Sequence, residues 1–247
     1  MLLFILNLSK KMCVLTYIPT ENNGFILTSN RDEAVSREPA IPPRKYHLHG
    51  QNVFFPKDPK GGGTWIASSG KITLCLLNGG VAKHISQPPY RHSRGKIIID
   101  FFTYNCLENF VANYDFSGIE PFTLVVINSN NGVKINELRW DGTQIFTKEI
   151  DKTKPQIWSS VTLYSPQVIA MREQWFIDFL EQPINPENVL NFHQNGGNGD
   201  EQNAIRVNRN NVLKTISTTQ FVINNKAFSI YYEDLLVQRK YNFRVIA

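Results

Sequence analysis

Cys13 follows a methionine near the start of the chain, and a thiol in that place can do two kinds of chemistry. Once deprotonated, a thiolate is a strong nucleophile. If the chain begins at Cys13, the residue also carries a free α-amine, whose ordinary pKa near ~8 lets it act as a base at neutral pH. A nucleophile served by its own terminal amine is an established route to covalent catalysis. The next polar cluster is Asn30-Arg31-Asp32-Glu33, which directly follows an apolar strand-like run. Charged side chains are rarely buried unless paired, so this tetrapeptide is either a solvated loop or a built polar centre. The turn Pro19–Asn23 joins the two runs. A hairpin closing symmetrically about it sets Pro19 opposite Gly24, Ile18 opposite Phe25 and Cys13 opposite Asn30. A slip of one residue would exchange the faces, but Cys13 stays beside the tetrapeptide. In this arrangement Arg31 favours the thiolate and Asp32 orients the amine or ammonium. The sulfur is expected near Arg31 or Asp32, at the mouth of a pocket between two sheets.

Asn78 ends another apolar strand and precedes two glycines. Its side-chain N–H is a candidate donor to a developing oxyanion, an interaction typically worth about 3 kcal/mol; the alternative is a plain Asn-Gly-Gly turn. Gly61-Gly62-Gly63 brings flexible backbone before Trp65, to line a pocket or to start a strand tightly. Ser93-Arg94-Gly95 opens a helix, a place that suits an anionic group or a simple cap. The candidate catalytic residues are therefore Cys13, Asn30, Arg31, Asp32 and Asn78, with Glu33, Trp65 and Arg94 as candidate substrate-binding residues. Cys75 and Cys106 read as core, and the five histidines read as solvated, with no spacing that completes a zinc site.

The elements that must position these residues follow from hydrophobic period. Strands are expected over Cys13–Ile18, Gly24–Asn30, Thr64–Ser68 and Lys71–Leu77, with Glu38–Lys60 as a Pro-rich loop. One helix is expected over Gly95–Tyr114, capped by Ser93. Strands resume at Phe122–Asn128, Val133–Trp140 and Gln144–Glu149. Ser165-Pro166 starts a second helix with Val168, Trp175, Phe176 and Phe179 inward, and a short helix follows Pro186. Final strands are expected over Val212–Ser217, Thr219–Asn224 and Ala227–Tyr232. Regular βαβ alternation is absent, which favours largely antiparallel sheets with helices packed outside.

The 247 residues, 42% of them hydrophobic, suffice for a core that needs neither disulfides nor metals. Three widely spaced cysteines make no disulfide framework and fit a reducing compartment. The net charge of +5 is scattered, without the clustered basic stripe of a nucleic-acid binder. The opening MLLFILNLSKK is too short to span a membrane and makes a poor secretory signal. A leader over 1–12, absent or removed in the mature chain, and one domain over 13–247 are therefore expected.

Met12-Cys13, Asn30-Arg31-Asp32-Glu33, the run Lys57 to Trp65, Leu77-Asn78 and Ser93-Arg94-Gly95 occur in the order seen in the NRDE family, of the transport and Golgi organisation 2 type. The chain resembles that family from Met12 to about residue 235, including the tail Ser217-Thr218-Thr219. The resemblance implies an α+β fold: a four-layer αββα sandwich of mainly antiparallel sheets, like that of N-terminal-nucleophile hydrolases. Among those, choloylglycine-hydrolase-like enzymes also begin Met-Cys and place Arg and Asp on the next strand. By that comparison Cys13 takes the nucleophile role, supported by Arg31 and Asp32, although the enzymes separate the latter two. Family members are linked to haem trafficking and to Golgi or mitochondrial lipid phenotypes. Two functions result. One is a cysteine amidohydrolase or acyl-transfer enzyme on a small amide or acyl substrate, requiring no cofactor. The other is a non-catalytic carrier of haem or a hydrophobic anion. A cytoplasmic location, a small-molecule or haem partner and no nucleic acid are expected.

Because the amine chemistry needs Cys13 at the chain terminus, the native protein is expected to begin there. Intact-mass measurement checks this, and a native product that retains residues 1–12 would remove the amine from the mechanism.

Overall fold

The computed structural model describes residues 12–162, 164–224 and 227–246. The segment 1–11 lies outside the described residues, and with it all of the expected leader except Met12.

The first two strands form the expected hairpin, β1 (Met12–Thr20) with β2 (Gly24–Ala34). Its register differs by one residue: Thr20 pairs with Gly24, Pro19 with Phe25 and Cys13 with Arg31, not Asn30. The chain reverses over Glu21–Asn23, where Asn22 and Asn23 adopt φ of 57° and 56°. Asparagine tolerates that left-handed region better than most residues, so the turn is tighter than composition suggested.

The expected Pro-rich loop is instead a hairpin of β3 (Ile41–Leu48) and β4 (Gln51–Lys57), turning at His49-Gly50, both at positive φ. Pro42 and Pro43 are tolerated because β3 is an edge strand, irregular between Ile41 and Arg44. β5 (Ile66–Ser68) and β6 (Ile72–Asn78) pair as expected. The expected single helix is two, α1 (Gly95–Tyr104) and α2 (Leu107–Asn113). Asn105, left-handed at φ 62°, ends α1, and Cys106 then caps α2, its sulfur accepting from the Asn109 N–H at 3.4 Å. Cys106 is thus a partly buried cap rather than a core residue. The apolar period ran unbroken because both helices pack on the same sheet.

β7 (Phe122–Asn128), β8 (Lys134–Trp140) and β9 (Ile145–Ile150) complete one sheet, in the order β3-β4-β5-β6-β7-β8-β9. β10 (Gln156–Ser159) begins the return to the other. Helix α3 (Pro166–Phe179) starts with Ser165 accepting from the Val168 N–H, and α4 (Pro186–Asn195) follows. The short β11 (Asn208–Arg209) precedes β12 (Leu213–Asn224), one strand, irregular between Thr215 and Ser217, where two were expected. β13 (Ala227–Asp234) and β14 (Arg239–Ile246) finish the second sheet, ordered β10-β1-β2-β12-β13-β14 with β11 on β12. All pairings between these strands are antiparallel.

Strand alternation then builds four layers. Leu15, Tyr17, Phe25 and Leu27 face Ile66, Cys75, Leu77 and Val125 between the sheets. Val14, Ile18 and Ile26 point the other way, onto Phe176 and Phe179 of α3 and Val189 and Phe192 of α4. Leu74, Leu124 and Leu138 pack under α1 and α2 against Ile97, Phe101 and Phe110. The layers run αββα, as expected. Burying each such side chain contributes about 1.5–3 kcal/mol. Among the described residues, no helix is long and apolar enough to cross a membrane.

The start of α1 is docked by backbone: Thr64 N–H donates to the Gly95 carbonyl at 3.0 Å. A Cβ on Gly63 would collide with the backbone of Gly95 and Lys96, which no side-chain rotation can relieve. Gly63→Ala is therefore expected to destabilise the protein by about 1–3 kcal/mol, the usual cost of overpacking. Urea denaturation reads this, and an unchanged midpoint would show that the approach of loop to helix is not a constraint.

Candidate active site

The β1–β2 register divides the tetrapeptide between two faces. Arg31 and Glu33 project with Cys13 into the space between the sheets, whereas Asn30 and Asp32 project toward the α3/α4 layer. A cavity of about 400 Å³ opens there, lined by Cys13, Arg31, Asp32, Glu33, Trp65, Asn78 and Arg94. All the sequence-predicted site residues except Asn30 thus meet at one pocket. Asn30 does not line it. Its amide donates to the carbonyls of His193 (2.8 Å) and Ile205 (3.0 Å) and accepts from Thr218, tying β2 to α4 and β12.

Cys13 is 5% exposed. Burial pushes its thiol far up, and the charge of Asp32 and the neighbouring Cys75 add to the rise. Arg31 and the Asp32 backbone N–H pull it down, but less. Arg31 thus favours the thiolate, as expected, but burial outweighs it, and the resting group is a thiol. Arg31 is also engaged elsewhere. It donates to Asp58 at 3.1 Å, lies 3.8 Å from Glu33, and its guanidinium sits 4.4 Å over the Trp65 ring.

Asp58 is a site residue that the sequence reading missed. Its Oδ2 accepts from Arg31 and, at 2.6 Å, from Arg37, while Oδ1 accepts the backbone N–H groups of Lys60 and Gly61. These donors outweigh desolvation and hold its carboxyl below the usual range. A carboxylate just before a Gly-rich turn is an Asx-turn signature, a signal that could have found it. Ser160 was also missed. Its N–H donates to the Cys13 carbonyl at 3.1 Å and its hydroxyl to the Asn78 carbonyl at 2.6 Å, linking the first strands' sheet to β6. Nothing local in the sequence marks it.

Asp32 is 1% exposed. Burial pushes its carboxyl up to about 6, against the opposing pull of a hydroxyl donated by Thr215 at 2.5 Å and the charges of Arg172 and Arg209. Its Oδ2 has no hydrogen-bond partner among the described residues. Arg172, fully buried on α3, stacks 3.6 Å over Tyr164 and donates to Tyr164, Asn203 and Ala204. Arg94 is paired with Glu120 at 3.0 Å and donates to the Pro121 carbonyl. It also occupies the N-cap position of α1, without a side-chain cap bond, where Ser93 was expected to cap.

The expectation of solvated histidines fails at His193. It is fully buried on α4, bonded to Thr16, and burial lowers its pKa to about 3. Among the described residues, no group of three or more His, Cys, Asp or Glu could hold a metal ion.

A family model described as transport and Golgi organisation 2 matches residues 12–176. No curated protein matches the sequence. Among solved structures, the fold is similar to that of a cysteine-to-alanine mutant of conjugated bile acid hydrolase from Clostridium perfringens. The TM-score is 0.50 at 9% identity, over 94% of this chain and 92% of that one. The shared fold is that of N-terminal-nucleophile hydrolases.

A raised folded-state pKa means that Asp32 costs stability as pH rises from 3.8 toward about 6, and that the cost is absent at lower pH. Asp32→Asn removes that titration. The variant's stability relative to the parent should therefore be greater at pH 7 than at pH 4, by roughly 3 kcal/mol for a two-unit shift. His193, with its lowered pKa, loses stability as pH falls below 6.5, but does so in both proteins. Urea denaturation across pH 4–7 measures the difference. A flat difference would show that Asp32 is not a buried charge.

Proposed function

The chain belongs to the transport and Golgi organisation 2 family, and from that premise we propose that it is a cysteine amidohydrolase or acyl-transfer enzyme with Cys13 as nucleophile. Its substrate is a small amide or related acyl compound. The observation that carries this reading is the pairing of Met12 with Asp32 across the hairpin. A chain beginning at Cys13 would bring its α-amine beside a buried carboxylate whose Oδ2 lacks a partner among the described residues. The Ser160 N–H donates to the Cys13 carbonyl at 3.1 Å and tethers that end of the strand.

The chemistry then runs as follows. The buried thiol transfers its proton to the α-amine as the sulfur attacks the substrate carbonyl. Asp32 stabilises the resulting ammonium. The Asn78 side-chain amide donates to the oxyanion. The ammonium returns the proton to the leaving amine, giving a thioester on Cys13. Water, or another acceptor, deprotonated by the amine, releases the acyl group and restores the thiol. A thiol that burial keeps protonated needs such a base in contact with it. Cavities of roughly 300–1,000 Å³ suit small ligands, and this one, at about 400 Å³, falls in that range.

Protein beginning at Cys13 is expected to be acylated there by an activated ester or amide, as read by mass spectrometry, with Cys75 and Cys106 as internal controls. Cys13→Ala should abolish turnover by many orders of magnitude while largely sparing binding. Arg31→Ala should slow acylation roughly tenfold, the effect of about 1.4 kcal/mol of lost charge stabilisation. Cys13 reactivity no greater than that of the other two cysteines, together with stoichiometric haem binding, would overturn the enzyme in favour of the carrier.

A further inference from the structure

We propose that the cavity holds a monoanion subsite beside Cys13, built by Arg31, Arg37, Lys60 and Trp65, so that the substrate carries a carboxylate next to its reactive carbonyl. The proposal deepens the hydrolase reading and rests on it. Three buried N–H donors of this cluster lack a partner among the described residues: Arg31 Nη1, Arg37 Nε and Trp65 Nε1. All three residues line the same cavity as the Cys13 thiol. Arg31 is 5% exposed and Trp65 6%. Buried donors are ordinarily satisfied, and a buried indole N–H in particular usually finds an acceptor. Three unmet donors in one cluster point to an acceptor that arrives with the ligand.

The charge balance says which acceptor. Two guanidinium groups converge on one oxygen of Asp58, at 3.1 and 2.6 Å. Asp58 is already saturated on its other oxygen by the Lys60 and Gly61 N–H groups. Lys60, exposed at the mouth, makes no ion pair among the described residues. Glu33 lies near Arg31. On this wall of the cavity three cations thus face two carboxylates, Asp58 and Glu33, and one positive charge is uncompensated, because Asp32 projects to the other face, where Arg172 and Arg209 act on it. Arg94 adds nothing to this excess, because Glu120 neutralises it. A single negative charge with several lone pairs balances the cluster. A planar carboxylate matches the guanidinium fork, whereas a dianionic phosphate would overshoot the charge. Arg31 is the cross-strand partner of Cys13 and lines the same cavity, so an anion it holds lies beside the thiol.

A matched pair of alkylating agents reads this directly. Iodoacetate and iodoacetamide differ only in charge, and each transfers its two-carbon group to the thiolate with loss of iodide. The ratio of their rates at Cys13, by mass spectrometry of the purified protein beginning at Cys13, is compared with the ratio for free N-acetylcysteine. The subsite should raise the Cys13 ratio about tenfold or more, the scale of one charge-assisted bond. Arg37→Gln and Lys60→Gln should each lower the ratio, and Arg37→Lys should partly restore it. A purely structural role for Arg37 would change both rates together and leave the ratio alone. Acetate should protect Cys13 better than inorganic phosphate at equal ionic strength; stronger protection by phosphate would overturn the monoanion assignment. Labelling of Cys13 by both agents at the N-acetylcysteine ratio would overturn the subsite while leaving the nucleophile standing. Failure of both agents to label Cys13 would overturn the subsite and the nucleophile together.

Discussion

The pairing of Cys13 with Arg31 across β1 and β2 is the constraint on which the site depends. Strand side chains alternate with a period of two, so this one pair fixes the face of every residue on both strands. Two cores hold the register at once. Leu15, Tyr17, Phe25 and Leu27 fill the space between the sheets, and Val14, Ile18 and Ile26 fill the space under α3 and α4. Three uncharged polar residues of the same strands find their partners on the helix side. Thr16 bonds His193, Thr28 bonds Gln220, and Asn30 bonds Thr218 and two carbonyls. A one-residue slip would drive these groups between the sheets without partners, at about 1–3 kcal/mol for each unsatisfied group. It would also turn the Cys13 thiol away from the cavity. Asn30 therefore serves the site without touching it.

The strand that carries Arg31 and Asp32 separates two treatments of buried charge. On the inner face, Asp58 gathers two guanidinium groups and two backbone N–H donors, which hold its carboxyl below the usual range. On the outer face, Asp32 receives one hydroxyl while Arg172 spends its donors on Tyr164 and two carbonyls. Burial then prevails, and Asp32 rises to about 6. The same side-chain type is a fixed anchor in one place and a tunable neighbour in the other. The difference lies in how many donors each carboxylate collects, since both are largely withdrawn from water.

What the sequence made legible was local. The Ser165-Pro166 helix start, the helix at Pro186 and the pairing of β5 with β6 follow from caps, proline and strand period within a few residues. The site was nearly legible, because Cys13 and the tetrapeptide are joined by a short hairpin and the remaining residues end strands or open a helix. The one-residue register error came from drawing the turn by composition, when two left-handed asparagines shorten it. The β3/β4 hairpin was hidden because proline marks a loop unless the strand is known to be an edge, which only the assembled sheet reveals. Arg172 and His193 occupy inward positions on α3 and α4, where period alone calls for apolar side chains. Their partners lie in segments far along the chain, so no window of sequence announces them.

The hardest chemical demand on such a site is set by burial itself. The packing that gives Cys13 its register also removes it from water, and the cost of a buried thiolate then exceeds what Arg31 returns. Placing another cation nearby would not serve, because Arg31 already divides its charge among Asp58, Glu33 and the Trp65 ring. A base that touches the sulfur and charges only while the bond forms meets the demand at lower cost. In the proposed mechanism, proton transfer moves the positive charge toward Asp32, whose Oδ2 has no hydrogen-bond partner among the described residues. Charge is created in the transition state rather than stored in the resting protein, where it would destabilise the fold. The burial of the hairpin by itself thus favours a terminal amine over a fixed cation as the partner of the thiol. Strand alternation sets Asp32 and Glu33 on opposite faces, and in the proposed mechanism this keeps the carboxylate beside the amine apart from the one beside Arg31, which would otherwise neutralise it.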